Sequence, residues 1–174
     1  MSEPKIHTNQ FWHLVDTTYP NLIHHNAKLG KGIIQSISCM AKINPELEGI
    51  VTPYYFFNMN DPKESLFEAI RKNAFSELPS RFKAFFVFDE YQLAEKALGG
   101  WFSNNNKEIE KCLLLPSCKT HRADTEWLNC KEIQWEEYAQ KYWDGKMSES
   151  PFPEIVVEGS IYFPRWKEFN LIGQ

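Results

Sequence analysis

The segment from Pro79 to Leu128 constrains the fold more than any other part of the chain, because it combines apolar strands with a helix in a fixed order. Its first block, PSRFKAFFVFDEYQLAEKALGGW, predicts a strand that leads into a helix. Its second block, IEKCLLLPSCKTHRADTEWL, predicts a strand that leaves through a loop. Arg81 in the first block and Asp124 in the second are charges placed beside apolar strands, and such charges indicate a candidate site.

Turn and helix-cap signals divide the rest of the chain into short elements. Strands are predicted at residues 11–15, 33–37, 82–88, 109–115 and 154–157. Helices are predicted from Asp61-Pro62 to about Asn73, from an Asp89 cap to Gly99-Gly100, and over residues 135–143. Residues 44–60 show no clear period and are predicted to be a loop or insertion, and His24 and His25 are expected in an exposed loop. This order of strands and helices is typical of an α+β domain.

Length and composition favour one compact domain over residues 1–174. A chain of 174 residues with 43% hydrophobic content buries roughly two-thirds of its unfolded surface in a single core. The amino terminus, MSEPKIHTNQ, has no secretion signal, and no apolar run approaches the ~20 residues of a membrane span, so we expect a cytoplasmic protein without membrane contact. The net charge of −4 disfavours nucleic acid as a partner, although it leaves room for local basic patches.

The four cysteines are expected to be reduced thiols, because the chain lacks a secretion signal. A zinc site is the other interpretation of four residues that fall close together in the sequence: Cys112, Cys118, His121 and Cys130. These residues lack the close CxxC pairs of structural zinc sites, and Cys112 lies in an apolar run where a core cysteine is ordinary. The spacing therefore favours thiols over a metal centre, and no metal is predicted.

Common catalytic motifs do not occur in the sequence. There is no Gly-rich phosphate loop, no GxSxG elbow and no HExxH helix. The polar residues near the predicted strands are instead scattered singly. This distribution is the one expected of a site assembled from several strands.

The order of several short blocks resembles the ADP-ribosyltransferases, and within them the small rifampin-modifying type. The matching blocks are Trp12-His13, Lys28-Leu29-Gly30-Lys31-Gly32, Phe85-Phe86-Val87-Phe88 with Leu93-Ala94, Ala123-Asp124 with Leu128, and a late strand within residues 151–159. The resemblance implies a single ADP-ribosyltransferase-like domain of α+β class. Such a domain has short strands in a split antiparallel sheet and a few flanking helices.

A second set of blocks is similar to an uncharacterised bacterial domain family of similar length, which is associated with the same group. These blocks are Glu68 to Phe75, Pro79-Ser80-Arg81-Phe82, Arg122-Ala123-Asp124, Tyr142-Trp143-Asp144-Gly145 and Pro153-Glu154. Together the two resemblances cover most of the chain outside residues 38–60.

The resemblance implies an NAD-dependent mono-ADP-ribosyltransferase with His13, Phe86 and Asp124 at its centre. The reaction breaks the bond between nicotinamide and ribose through a cation-like sugar, which an enzyme must orient and stabilise. In this interpretation His13 binds the adenosine ribose, Phe86 stacks on nicotinamide, and Asp124 stabilises the sugar cation or acts as a base. From the residues alone, His13 can equally be a core histidine bonded to a backbone carbonyl, Asp124 can cap a turn at Thr125, and Glu126 is a rival acid.

Three further residues are implied to bind the cofactor. Arg81 would hold the NAD pyrophosphate through its fork of donors, while Ser80 and Thr17 would supply hydroxyl groups to phosphate or ribose. The residues alone allow Arg81 to be an ion-pair partner of Glu77 or Asp89. They also allow Ser80 and Thr17 to be ordinary residues before turns.

Two departures from the rifampin-modifying type concern the centre of the implied site. Phe86 stands where that type has a Tyr, so the ring is kept and the hydroxyl is lost. Leu14 follows His13 where the type often has a Gly.

The sequence thus leads to two hypotheses of function. The first is transfer of ADP-ribose to an unidentified acceptor, which is a protein, nucleic acid or small molecule. The enzyme would then be a toxin, a phage-defence effector or a drug-modifying enzyme. The second is a non-catalytic relative of this fold that binds a nucleotide or a protein.

Overall fold

The computed structural model describes residues 10–18, 22–102 and 106–171, and these form an α+β domain with two antiparallel sheets. The first sheet consists, in spatial order, of β1 (Gln10–Asp16), β4 (Lys107–Leu114), β7 (Ser160–Tyr162) and β2 (Ile33–Gln35). The second consists of β3 (Phe85–Val87), β6 (Pro153–Glu158) and β5 (Lys119–Asp124). The predicted fold class, α+β with short antiparallel strands and flanking helices, is confirmed.

Helices flank these sheets within the described ranges. They are α1 (Leu22–Leu29), α2 (Ile37–Ile43), α3 (Pro53–Asn58), α4 (Pro62–Ala74), α5 (Tyr91–Trp101) and α6 (Trp135–Trp143). Short 3-10 helices occur at Pro45–Gly49, Thr125–Leu128, Glu132–Gln134 and Trp166–Glu168. None of the described helices is long and apolar enough to cross a membrane.

The sheet β3-β6-β5 is covered on both faces, because successive side chains of a strand point to opposite sides. One face packs against the sheet β1-β4-β7-β2 in a core of aliphatic and aromatic side chains that includes Val15, Val87, Ile155, Val157, Ile161 and Phe163. The other face packs against α4 and α6 through a second set that includes Phe67, Tyr142, Trp143 and Val156. Strand β6 therefore contributes to both cores.

A backbone bridge joins β1 of the first sheet to Phe88, the residue that follows β3 of the second. The amide of Trp12 donates to the carbonyl of Phe88 at 2.9 Å, and the amide of Phe88 donates to the carbonyl of Trp12 at 2.8 Å. Beyond this bridge β1 continues with β4, while β3 continues with β6. The next residue of β1, His13, lies where the strands diverge.

Several element boundaries differ from the sequence-based expectation. Strand β3 begins only at Phe85, since residues 81–83 form a turn in which the Lys83 amide donates to the Ser80 carbonyl at 3.1 Å. Helix α5 follows Glu90 rather than an Asp89 cap, and it continues through the two glycines to Trp101. A separate strand, β5, carries Asp124 as its last residue, where a loop was expected.

Two segments that were expected to be loops are helical. His24 lies in α1 and is buried, with its ring stacked on Phe169 at 4.1 Å, so the expectation of an exposed loop was wrong for this residue. Residues 44–60 form a 3-10 helix and α3, because Thr52 caps α3 by accepting from the Tyr55 amide at 3.0 Å and Pro53 occupies its first turn.

Candidate functional site

Arg81 is the centre of a buried group of charged and aromatic side chains. It follows the buried Pro79 in the turn before β3, and it is only 5% exposed. All five N–H groups of its guanidinium donate hydrogen bonds to side chains, which is the full capacity of an arginine. Arg81 therefore has no donor left for another group in this arrangement.

The partners of Arg81 come from four different elements. Nε and one terminal nitrogen donate to the Glu64 carboxylate of α4, at 3.2 and 3.5 Å. The other terminal nitrogen donates to Glu154 of β6 and, at 2.6 Å, to the hydroxyl of Tyr142 of α6. The Tyr54 hydroxyl of α3 accepts the fifth bond at 2.5 Å. We call Arg81, Glu64, Glu154, Tyr142 and Tyr54 the Arg81 cluster.

Aromatic rings enclose the guanidinium of Arg81. Its central carbon lies 5.1 Å from the ring centre of Tyr54, 5.2 Å from that of Phe86 and 5.1 Å from that of Tyr142. A planar cation at such distances is attracted by the negative faces of the rings. Stacking and ion pairing therefore act together on the same group.

The Arg81 cluster contains one cation and two carboxylates, so its formal charge is negative. Burial opposes the charge of Arg81, but the oxygen atoms of Tyr142, Tyr54, Glu154 and Glu64 outweigh it and hold the pKa of the guanidinium well above its ordinary value. Burial also raises the pKa of the Tyr142 hydroxyl, which donates to Glu154 at 2.8 Å and stays protonated. The cluster thus provides a negative, aromatic environment that favours a delocalised cation.

His13 approaches the same region from β1. Its Nδ1 lies 2.7 Å from the carbonyl oxygen of Phe86, and because a carbonyl only accepts, Nδ1 carries the proton. Burial lowers the pKa of His13 to about 4, against the opposing effect of this hydrogen bond. His13 is therefore neutral at physiological pH, and its Nε2 is a hydrogen-bond acceptor.

Phe86 connects His13 with the Arg81 cluster, but the two groups approach it differently. His13 binds the backbone carbonyl of Phe86, and its ring packs near Phe85 and Phe163 in the core between the sheets. Arg81 packs on the Phe86 ring, which belongs to the core beside α4 and α6. His13 thus bonds to a backbone carbonyl, as in the core-histidine interpretation, while the Phe86 ring and the carboxylates lie on the other side of β3.

Asp124 is buried, and backbone amides bind its carboxylate. Oδ1 accepts from the amides of Glu126 at 3.1 Å and Phe152 at 2.9 Å, while Oδ2 accepts from the amide of Ser148 at 2.7 Å. Burial by itself raises the pKa of Asp124, but these hydrogen bonds outweigh it and lower the pKa below its ordinary value. The side chain caps the 3-10 helix Thr125–Leu128 and ties the loop before β6 to the end of β5.

Ser80 and Thr17 each bond to nearby backbone. The Ser80 hydroxyl accepts from the Phe82 amide at 3.3 Å within the turn that carries Arg81. The Thr17 hydroxyl donates to the carbonyl of Asn106 at 2.9 Å, at the end of β1 away from His13. The acids expected to pair with Arg81 do not do so, because Asp89 pairs with Arg122 at 2.8 Å, and the partners of Arg81 are Glu64 and Glu154.

Within the part of the chain that the structure describes, no group of three or more His, Cys, Asp and Glu side chains is arranged to hold a metal ion. Cys112 is buried in the core, where burial raises the pKa of its thiol to about 12. The Cys118 thiol donates to the Ser160 carbonyl at 3.0 Å, and His121 bonds to the Tyr142 carbonyl at 2.9 Å. Elsewhere on the surface, a groove of about 490 Å³ is lined by Asn26, Gly30, Ile33, Ile34, Gln35 and Met40.

Except for Arg81, no member of the cluster was predicted as a site residue from the sequence: Glu64, Glu154, Tyr142 and Tyr54. Glu154 is the second residue of the otherwise apolar strand β6, and Glu64 lies in the first turn of α4. The signal that could have found Tyr142 and Glu154 is that their blocks, Tyr142-Trp143-Asp144-Gly145 and Pro153-Glu154, contact the Arg81 guanidinium, whereas Glu64 and Tyr54 lie in no such block.

A family model described as a protein of unknown function, DUF2441, matches residues 7–166, which is most of the chain. The search of curated proteins finds no match.

Proposed function

The chain belongs to the DUF2441 family, whose function is unknown, and we propose that it is an NAD-dependent mono-ADP-ribosyltransferase. The observation that supports this proposal most is the environment of Arg81. Two buried carboxylates and three aromatic rings surround a planar, delocalised cation beside the divergence of the two sheets. ADP-ribosyl transfer passes through a cation of the same kind.

The proposed roles follow from the charges of the cluster. When the bond between ribose and nicotinamide breaks, its electron pair leaves with the nicotinamide nitrogen and the sugar becomes positive at its anomeric carbon. A fixed carboxylate in a site of low dielectric stabilises that charge without reorganisation. We assign this role to Glu154, because it lies on the rigid strand β6 and bonds to both Arg81 and Tyr142. The acceptor then attacks the anomeric carbon, and its proton passes to Glu154 or to water.

His13 supports the recognition of a ribose. The neutral imidazole, fixed by the Phe86 carbonyl, offers Nε2 as an acceptor for a hydroxyl hydrogen. The Arg81 cluster lies on the other side of the edge strand β3, so a dinucleotide that contacts both groups would have to pass around β3 where it diverges from β1. The proposal keeps His13 and Phe86 at the centre and assigns the role of the acid to Glu154 in place of Asp124, whose oxygens already bind three amides.

Glu154 is only 4% exposed, so part of its cover has to move to admit a substrate, and we propose that this part is α3, whose Tyr54 hydroxyl accepts from Arg81. Helix α3 has six residues, and Tyr54 itself is only half-buried. Displacement of α3 would free one donor of Arg81 for a phosphate, which is the cofactor role proposed for this residue.

The four cysteines are free thiols, which supports a reducing, cytoplasmic location.

Incubation of the purified protein with labelled NAD and cell extract tests the proposal. Nicotinamide release and label transfer are followed for the wild type, Glu154→Gln and Glu158→Gln. Both glutamates lie on β6, but Glu158 pairs with Lys42 outside the cluster, so its variant is the matched control. We expect turnover in the wild type and Glu158→Gln, and a loss of about 10²-fold or more in Glu154→Gln. The proposal fails if the wild type releases no nicotinamide, or if Glu154→Gln keeps full activity.

One observation favours a second candidate, a non-catalytic relative that binds a nucleotide or a protein. All five donors of Arg81 are satisfied within the protein, as in a cluster that fixes the positions of α3, α4, α6 and β6. Calorimetry with NAD separates the candidates. Binding without nicotinamide release would support this second function and exclude the first.

A further inference from the structure

Glu110 is a buried carboxylate on the side of β4 that faces the core between the two sheets. It is only 6% exposed, and Cys112 and Leu114, which lie on the same face of the strand, are core residues. In the part of the chain that the structure describes, no donor lies within hydrogen-bond or ion-pair distance of this carboxylate. Burial raises the pKa of Glu110, against the opposing effect of Arg165. A buried carboxylate without a partner lowers the stability of a fold, which indicates a role outside packing.

The charged side chains near Glu110 bond to other groups. Arg165 is exposed, and its Nε donates to the Glu168 carboxylate at 2.8 Å. Glu108 lies two positions away on the same face of β4, and its carboxylate is 3.0 Å from the ring nitrogen Nε2 of His24. Neither pair uses the oxygens of Glu110, which therefore remain available as acceptors.

The residue directly opposite Glu110 in the sheet is His13 of β1. Residues paired in this way point to the same face, with Cβ atoms about 5 Å apart. Among the hydrogen bonds of the described residues, none joins these two side chains, because His13 uses Nδ1 for the Phe86 carbonyl. His13 is also partly exposed. The pair therefore presents two neighbouring acceptors, Nε2 and a carboxylate, at a position that solvent reaches.

Two adjacent acceptors require a ligand that brings two donors close together. The vicinal hydroxyls of a ribose are donors of this kind. A carboxylate that accepts from the 2′-hydroxyl of the adenosine ribose is also a general means by which proteins recognise NAD. The chemistry of the pair thus fits a sugar diol.

A 2′-phosphate, as in NADP, fits the same position poorly. It replaces the hydroxyl donor with anionic oxygens, which would face the carboxylate of Glu110. The two cations on this side already have contacts, since Arg165 pairs with Glu168 and the Lys107 ammonium lies 4.8 Å from the ring centre of Phe102. Glu110 should therefore select against the 2′-phosphate.

We propose that Glu110 binds the 2′-hydroxyl of the adenosine ribose beside His13 and so makes the site specific for NAD over NADP. The identity of the ligand rests on the proposed ADP-ribosyltransferase function, whereas the requirement for paired hydroxyls rests on the two acceptors alone. The ligand supplies the donor that Glu110 lacks in the free protein.

Calorimetry with ADP and 2′-deoxy-ADP tests this role without turnover, because the two probes differ only in the hydroxyl and carry no nicotinamide. The variants are Glu110→Met and Glu108→Met. Glu108 is the matched control, since it lies on the same face of β4 but opposite Val15. We expect the wild type and Glu108→Met to bind ADP at least tenfold more tightly than 2′-deoxy-ADP, and this ratio to fall to about one in Glu110→Met.

Thermal unfolding of the free proteins separates a binding role from a structural one. Since Glu110 lacks a partner, the Tm of Glu110→Met should equal or exceed that of the wild type. A lower Tm with an unchanged ratio, or failure of this variant to fold, would identify a structural carboxylate and overturn the proposal. Absence of ADP binding to the wild type, or a wild-type ratio of one, overturns it as well.

Two further measurements complete the test. Equal nicotinamide release from NAD and NADP by the wild type overturns the selectivity, and tighter binding of putrescine than of ADP would identify an amine site instead. Nicotinamide release with an unchanged ratio in Glu110→Met overturns the role of Glu110 alone. The expected ratios without any release overturn the proposed function alone.

Discussion

Arg81 and Asp124 are both buried charges next to strands, and the structure satisfies them in different ways. Arg81 bonds to five oxygens of four side chains from α3, α4, α6 and β6. The Asp124 carboxylate accepts from three backbone amides of residues 126, 148 and 152. Arg81 therefore holds side chains of four elements together, whereas Asp124 fixes the loop before β6.

This difference bears on which buried charge we propose for a role in a reaction. A carboxylate bound by backbone amides cannot change partners unless the chain itself moves. Side-chain partners can rotate, and those of Arg81 include an uncompensated second carboxylate and a tyrosine from a short surface helix. We therefore infer a structural role for Asp124 and keep Glu154 as the proposed catalytic acid.

Replacement of the Arg81 charge is expected to have the largest effect on stability. Arg81→Met leaves Glu64 and Glu154 buried near each other without their cation, so the free energy of unfolding should fall by about 3–5 kcal/mol. Arg122→Met is the control, because the ion pair of Arg122 with Asp89 is partly exposed and should contribute at most about 1 kcal/mol. Urea unfolding of both variants measures the difference, and similar losses would contradict the special status of the Arg81 cluster.

The second effect is a pH dependence caused by His13. Its pKa falls from 6.5 in the unfolded chain to about 4 in the folded protein, so the unfolded state binds more protons between these values. Stability should therefore decrease as the pH falls from 6.5 to 4, by up to about 3 kcal/mol, and be unaffected by His13 above 6.5. Urea unfolding across this range should show a flatter dependence for His13→Gln. The same slope in His13→Gln and in the exposed-site control His25→Gln would show that His13 does not cause it.

Asp124→Asn should lower the free energy of unfolding by less than Arg81→Met or the protonation of His13. The amide nitrogen of Asn faces an N–H donor in place of a carboxylate oxygen, and a buried donor left without a partner costs about 2 kcal/mol. Because the pKa of Asp124 is lower in the folded state, the stabilisation by the wild-type carboxylate is present above its unfolded value of 3.8 and disappears as the pH falls below it. This window lies below that of His13, so acid titration of unfolding separates the two residues.

Activity provides a second criterion for Asp124. If its role is to hold the loop before β6, the folded fraction of Asp124→Asn should keep nicotinamide release, in contrast to Glu154→Gln. A loss of turnover in a fully folded Asp124→Asn would return the catalytic acid to Asp124.

The smallest effect is expected at Thr17. Its hydroxyl donates one hydrogen bond to the Asn106 carbonyl, so Thr17→Val should lower the free energy of unfolding by about 1 kcal/mol or less and leave nicotinamide release unchanged. A large rise in the KM for NAD with normal stability would instead place Thr17 in the cofactor site.

The periodic parts of the fold were predictable from the sequence. Asp61-Pro62 predicted the start of α4, and the apolar run in the second half of β4 predicted that strand. Both were readable because caps and periodicity are local signals. Strand β5 was missed because five of its six residues, all except Ala123, are polar and hide the alternation of a strand. Helix α1 was missed because its two histidines suggested exposure.

The site was only partly predictable, because its decisive contacts are not local. The contact of His13 with Phe86 joins residues 73 positions apart, and the expectation that both lie at the centre came from the order of blocks rather than from a spacing rule. The pairing of Arg81 with Glu154 spans the same separation, and no feature of the strand PEIVVE shows which helix its acid will meet. The residues alone allowed Asp124 to cap the turn at Thr125, but its other partners, the amides of Ser148 and Phe152, are distant in the chain and leave no mark in the sequence.

A crystal structure of the protein with NAD bound tests the central claim most directly, because it shows which buried acid meets the reacting sugar. We predict that the ribose attached to nicotinamide lies within hydrogen-bond distance of Glu154, with the ring beside Phe86 and a hydroxyl of the other ribose donating to His13 Nε2. NAD bound beside Asp124, or in the groove lined by Asn26, Ile34 and Met40 with the Arg81 cluster unchanged, would contradict the account.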